Sequence, residues 1–221
     1  MMTVLPPESS SGELFQLLNS VFSIFNSVVH FALQLNDWRK HKVSMGIRRA
    51  KITDVRRIKQ LIDENMQEGF MLPRPLNELY ENVREFFVWD EDGLVQGCAG
   101  LHIFWADLAE IKSLAVDRTG RGKGWGKALV SACVNEAREL QIARVFALTQ
   151  IADFFTGMGF EQVEKNQFPH KVWAECMRCP KFQDCDEVAV GITVCDPLDS
   201  EPSFAHYGPK SLPIAFPNPK G

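Results

Sequence analysis

Between Ser113 and Lys127 the chain reads Ser-Leu-Ala-Val-Asp-Arg-Thr-Gly-Arg-Gly-Lys-Gly-Trp-Gly-Lys, and few folds accommodate such a run. Residues 110–116 alternate like a β-strand, and residues 124–140 carry the apolar spacing of a long amphipathic helix. Gly122, Gly124 and Gly126 therefore open a helix directly after a strand. Without side chains, their backbone N–H groups can turn toward one point. The helix N-terminus adds partial positive charge there, which suits a pyrophosphate. Arg121, Lys123 and Lys127 would add charge-assisted contacts. A tight turn with no ligand is the alternative reading. No Gly-Lys-Ser/Thr closes the run, so it is not a Walker A loop. The glycine spacing also misses the dinucleotide-binding Gly-x-Gly-x-x-Gly.

The surrounding pattern is that of an α/β domain beginning near Met45. Residues 46–50 read as a short strand. Thr53 or Asp54 can cap a helix that places Val55, Ile58, Leu61, Ile62 and Met66 on one face. Pro73 and Pro75 mark a loop, and residues 78–84 a short helix. Strands are predicted at 85–89 and 94–103, joined across Glu91-Asp92-Gly93, a hairpin signal. Residues 144–148 read as a strand, 153–157 as a short helix, and a further strand begins at Phe160. From about residue 190 the chain is rich in proline and serine and reads as a disordered tail over 191–221.

The chain has 221 residues, a formal net charge of −4 and a pI near 5.8. That balance excludes the basic footprint of a nucleic-acid binder. Six cysteines do not make the framework of a small secreted domain, and acids precede the apolar N-terminal run. A reducing cytoplasm is the expectation.

The run Arg121-Gly122-Lys123-Gly124-Trp125-Gly126 matches an Arg/Gln-x-x-Gly-x-Gly/Ala signature, and the chain resembles the Gcn5-related N-acetyltransferases (GNAT). The resemblance implies an α/β (α+β) acyl-CoA N-acyltransferase fold with a mixed central sheet flanked by helices, and acetyl-CoA as co-substrate. The turn, residues Arg121, Gly122, Lys123, Gly124, Trp125, Gly126 and Lys127, would hold the coenzyme A pyrophosphate. The strand before it splays from its neighbour in this family, so the pantetheine arm would run along Leu114, Ala115 and Val116. By the same analogy the Val116 N–H would stabilise the oxyanion.

Amide formation needs a base, and Glu110 occupies the position of a strand-borne catalytic glutamate in related enzymes. Strict alternation puts Glu110, Lys112, Leu114 and Val116 on one face. A solvated or salt-bridged glutamate is the competing reading. No nucleophile is placed to form an acyl-enzyme, so direct attack by the amine is expected. Where many relatives carry a tyrosine as general acid, this chain has Phe155.

Several separate blocks, including 72–80, 107–116, 144–149 and 168–173, resemble the acetyltransferase domain of the N-acetylglutamate synthases, in its short bacterial form. This implies an amino-acid substrate, L-glutamate first, and a place in arginine biosynthesis. Arg74, between two prolines, and Lys171 would then bind its carboxylates. Gln150 stands where an aromatic residue is expected in that form, which leaves another amine or a protein amine as acceptor. A non-catalytic coenzyme- or metal-binding regulator is the reading from another class.

Residues 14–35 carry eight uncharged polar residues on one stripe of an apolar helix. Such a helix could pack on its own domain or on a twin subunit in a homodimer. It could also lie on a membrane surface, or be an extension without a role; the stripe argues against a span. The expected organisation is an extension at 1–44, the transferase domain at 45–190 and the tail. Cys176, Cys179 and Cys185, with His170 upstream, have donors for zinc, but the paired-knuckle spacing is lacking. A redox-active pair is a further reading; reduced structural thiols are preferred there, and no metal is expected.

Overall fold

The computed structural model describes residues 45–168, 176, 179 and 184–198. The helix expected at 14–35, His170, Lys171 and the chain beyond 198 lie outside these residues.

The chain order is β1 (Met45–Arg49), α1 (Val55–Gln67), α2 (Leu76–Glu81), β2 (Phe86–Glu91), β3 (Leu94–Trp105), β4 (Leu108–Val116), α3 (Trp125–Glu139), β5 (Arg144–Thr149), α4 (Ala152–Thr156), β6 (Glu161–Val163) and β7 (Val188–Thr193). The strands form one sheet in the order β1-β2-β3-β4-β5-β7-β6. β4 and β5 are parallel, and the other described pairs are antiparallel.

Spacing explains which face each helix buries. Val55, Ile58, Leu61 and Ile62 of α1 are buried, joined by Leu79 of α2 against Phe86, Val88, Cys98 and Ala115. The fifth place on the α1 stripe belongs to Asn65 and not to Met66, which is only partly buried. Across the sheet, Leu129, Val130, Cys133, Val134 and Ala137 of α3 pack on Ala99, Leu101, Ala109 and Ile111. Each fully buried Leu, Ile or Val contributes roughly 1.5–3 kcal/mol relative to exposure. Among the described residues no helix is long and apolar enough to cross a membrane.

The β2–β3 hairpin turns at Asp92 and Gly93, whose φ values are +56° and +82°. Both central residues of a type I′ turn need positive φ, which is why an Asp-Gly pair serves there. At its start, α1 is held by Asp54, whose carboxylate accepts from the Lys51 N–H at 2.7 Å and from Arg48 at 2.7 Å.

Two expectations are corrected. β7 runs from 188 to 193, through the boundary drawn at residue 190, and lies between β5 and β6. The strict alternation along β4 also fails. Cys98 opposes Ala115 but Gly100 opposes Lys112, so β4 carries one extra residue at this point. Ser113 absorbs it with φ of +55°, a β-bulge. Ala109, Ile111, Leu114 and Val116 consequently share the α3 face. Directly opposed residues of a ladder share a face. Glu110 and Lys112, opposite His102 and Gly100, therefore lie with Ala115 on the α1 face.

Candidate active site

β4 and β5 pair only at Leu108↔Arg144, Ala109↔Val145 and Glu110↔Phe146, and then separate. The gap is a cavity of about 550 Å³. Ile111 to Leu114 and Val116 form one wall and Ala147 to Ile151 the other, with Phe154 and Phe155 of α4 behind. Asn65, Phe70 and Met71 meet the glycine turn at the mouth.

The mouth's shape follows from backbone chemistry. Gly122 and Gly124 have φ of +80° and +86°, a region costly to any residue with a Cβ. Gly120 is needed for space instead, because a Cβ there would lie 1.9 Å from Trp125 Cε3. Trp125 is buried and stacks on Trp89, with centroids 5.3 Å apart. The first N–H groups of α3 have no carbonyl partner within the helix and open toward the turn.

Strand geometry orients the amides of β4. The Asp117 N–H donates to Gln96 O on β3 at 2.8 Å. Successive N–H groups point to opposite edges of a strand, so the Val116 N–H points toward the gap. Asp117 also accepts from the Thr119 N–H at 2.9 Å and its hydroxyl at 2.7 Å, and from Arg57 at 2.9 Å. These donors hold its carboxyl below the usual carboxylate range, the Thr119 N–H foremost.

Of the sequence-derived residues, Leu114, Val116, Arg121, Gly122, Gly124, Trp125, Gly126 and Lys127 line the cavity. Ala115, Lys123 and Glu110 do not. Ala115 packs toward Cys98 and α1, and the Lys123 ammonium sits 5.2 Å from the Trp125 ring centroid. Arg121 is tied to the end of α1: it pairs with Glu68 at 2.6 Å and donates to Asn65 Oδ1 at 3.1 Å. Arg118 reaches the same carboxylate at 2.6 Å. The two guanidiniums, Arg121 first, hold the Glu68 carboxyl below its usual range.

Glu110 is 8% exposed and stands where the gap begins, with His102 opposite on β3 and Phe146 on β5. Arg74 pairs with Glu78 at 2.6 Å and does not line the cavity. Phe155 presents an apolar ring to the cavity, and no tyrosine among the described residues lines it.

Sequence reasoning missed Asn65, Glu68, Phe70 and Lys112. Asn65 did leave a signal, being a polar residue on the apolar stripe of α1. Its amide donates to Leu61 O at 2.8 Å, which frees Oδ1 for Arg121. Gln150 lines the cavity and donates to Asp186 at 2.7 Å.

Burial pushes the thiols of Cys98, Cys133 and Cys176 up to about 12. The Cys179 N–H donates to Cys176 O at 2.9 Å, and Lys165 Nζ donates to Cys185 Sγ at 3.4 Å. Among the described residues no group of three or more His, Cys, Asp or Glu could hold a metal.

Residues 55–160 match the Acetyltransferase (GNAT) family. An uncharacterized N-acetyltransferase of Chlorobaculum tepidum is 39% identical over 144 residues, covering 65% of this chain and 93% of that one. The amino-acid acetyltransferase of Mycobacterium tuberculosis is 41% identical over 135 residues, covering 60% of this chain and 77% of that one. The structure of N-acetylglutamate synthase from Neisseria gonorrhoeae, complexed with coenzyme A and N-acetyl-glutamate, aligns with a TM-score of 0.63 at 26% identity. That alignment covers 70% of this chain and 36% of that one.

Proposed function

The chain belongs to the GNAT family and is an acetyl-CoA-dependent N-acetyltransferase; on that premise we propose that its acceptor is the α-amine of an amino acid, L-glutamate first. The observation that supports acetyl transfer is the split between β4 and β5, with a glycine turn at its wide end and a buried carboxylate at its apex; the acceptor rests on the likeness to an amino-acid acetyltransferase.

Acetyl-CoA binds with its pyrophosphate against the amides of Gly122, Gly124 and Gly126 and the first turn of α3, where Arg121 and Lys127 add positive charge. The pantetheine arm lies along Leu114 and Val116 in the apolar gap. The acceptor enters on the face that carries Glu110, which takes a proton from the ammonium and so frees the nitrogen lone pair to attack the thioester carbonyl. The Val116 N–H meets the oxyanion of the tetrahedral intermediate. Arg74 and Lys171 bind the acceptor's carboxylates. For Arg74 this means exchanging Glu78 for substrate. The likeness to amino-acid acetyltransferases supports the acceptor class, and the product would serve arginine synthesis in the cytoplasm.

The test is CoA release from acetyl-CoA across a panel of amino acids and polyamines. Glutamate-dependent release at least tenfold above the other amines is expected, with Arg74→Ala raising the KM for glutamate and leaving that for acetyl-CoA unchanged. Faster release with another amine would overturn the acceptor and keep the transferase.

A further inference from the structure

His102 stands directly opposite Glu110 in the β3–β4 ladder. Such pairs project from one face with Cβ atoms about 5 Å apart. The imidazole is held in place by its neighbours. Its Nδ1 lies 2.7 Å from Glu85 Oε1, and its ring meets Phe104 edge-on with centroids 4.8 Å apart. Glu85 Oε2 is buried and has no hydrogen-bond partner among the described residues. The His102 side chain is 26% exposed, whereas Glu110 is 8% exposed. Lys112 is the next charged residue on this face of β4, two positions beyond Glu110.

This arrangement bears on a need that any such transferase has. An ammonium and a thioester give an amide, a thiol and one free proton. The amine loses two protons; one leaves with the coenzyme thiolate and the other must reach solvent through the base. A buried carboxylate that keeps its proton is inactive in the next cycle. The register places an imidazole on the same face, near enough to accept that proton through one water.

We infer that His102, oriented by Glu85, relays the proton from Glu110 to solvent; the inference rests on the reading of Glu110 as the base. The Glu110 O–H bond breaks and its proton goes to a bridging water, which passes one of its own protons on so that an N–H bond forms at His102 Nε2. The resulting imidazolium is held by the Glu85 carboxylate through Nδ1–H. It then gives its proton to water or buffer, returning all three groups to their starting state. His102 does not touch the reacting atoms and acts through Glu110, as a positioning and relay residue.

The experiment measures initial rates of the full chain with acetyl-CoA and the fastest amine of the panel, for His102→Gln, Glu110→Gln, Glu85→Gln and the double variant at 102 and 110. His102→Gln is expected to lower kcat about tenfold with the KM for acetyl-CoA unchanged, and added imidazole is expected to restore it. Glu85→Gln keeps the imidazole and gives a smaller loss, also restored by imidazole. That variant decides the matter should His102→Gln fail to fold. In the Glu110→Gln background, His102→Gln adds no further loss. A kcat within twofold of the parent for His102→Gln, or a loss that imidazole does not restore, would overturn the relay. Turnover retained by Glu110→Gln would overturn the base and the relay together, whereas loss at 110 with none at 102 strikes the relay alone.

Discussion

Phe146 faces Glu110 across the last position at which β4 and β5 remain paired. The Phe146 ring stacks on Phe168 with centroids 4.2 Å apart and is 1% exposed, so it forms an apolar wall on one side of the carboxylate. The other side belongs to His102.

Replacing Glu110 by Gln keeps size and removes the proposed base. We expect kcat at pH 7.5 to fall by at least about 10²-fold, while CoA binding measured by calorimetry changes by less than threefold. Equal losses in binding and turnover would instead make Glu110 a structural residue.

The glycines of the turn should separate into two kinds. Gly120→Ala drives a Cβ into Trp125, with contacts of 1.9 and 2.1 Å to its ring. It should lower stability by about 1–3 kcal/mol in thermal or urea unfolding. Gly124→Ala meets nothing within 4 Å but must hold φ at +86°. It should cost about 1–2 kcal/mol and weaken CoA binding at the same time. A neutral Gly120→Ala would show that Trp125 can move.

Acid should loosen the link between β4 and the turn. The Asp117 carboxyl is lower in the folded chain than in the unfolded one, chiefly through the Thr119 N–H and hydroxyl. The stabilisation it brings is complete above the unfolded value near 4 and is lost as pH falls through the folded value. Unfolding midpoints followed from pH 7 to pH 2.5 should decline less steeply below about pH 4 in Asp117→Asn than in the parent. Parallel curves would remove Asp117 from the account.

Thiol chemistry should distinguish the core. Cys98 and Cys133 are 0% exposed and burial pushes both thiols up to about 12. Mass spectrometry after alkylation at pH 8 should find both unmodified in the native protein and modified in denaturant. Labelling of Cys133 under native conditions would mean that α3 opens from the sheet.

The sequence made α1, α3 and the β2–β3 hairpin legible because local spacing and turn chemistry determine them. Val55, Ile58, Leu61 and Ile62 lie on one helical face whatever the rest of the chain does, and Asp92-Gly93 demands its turn. The glycine turn was legible for the same reason. What escaped depends on distant partners. β7 is six residues long with no turn signal before it, and its place is set by hydrogen bonds to β5 and β6. The bulge at Ser113 leaves no mark in the letters of β4, since only the opposing register with Cys98 and Gly100 exposes it. Arg74 and Glu78 stand four apart in the sequence, but nothing in their spacing decides between an ion pair with each other and contact with a ligand.

The extra residue in β4 has a consequence for evolution. If the bulge were ironed out with every residue kept, the strand would alternate strictly and Glu110 would share a side with Leu114 and Val116. An acid now across the sheet from the proposed pantetheine wall would stand alongside it, and the acceptor would compete with the coenzyme for one approach. Deletion of Ser113 would do no such harm, because Ala109, Ile111, Leu114 and Val116 would still fall on one side and Glu110, Lys112 and Ala115 on the other. The separation of the two sides can therefore outlive the bulge, but not a one-residue insertion or deletion between Glu110 and Leu114 that keeps it.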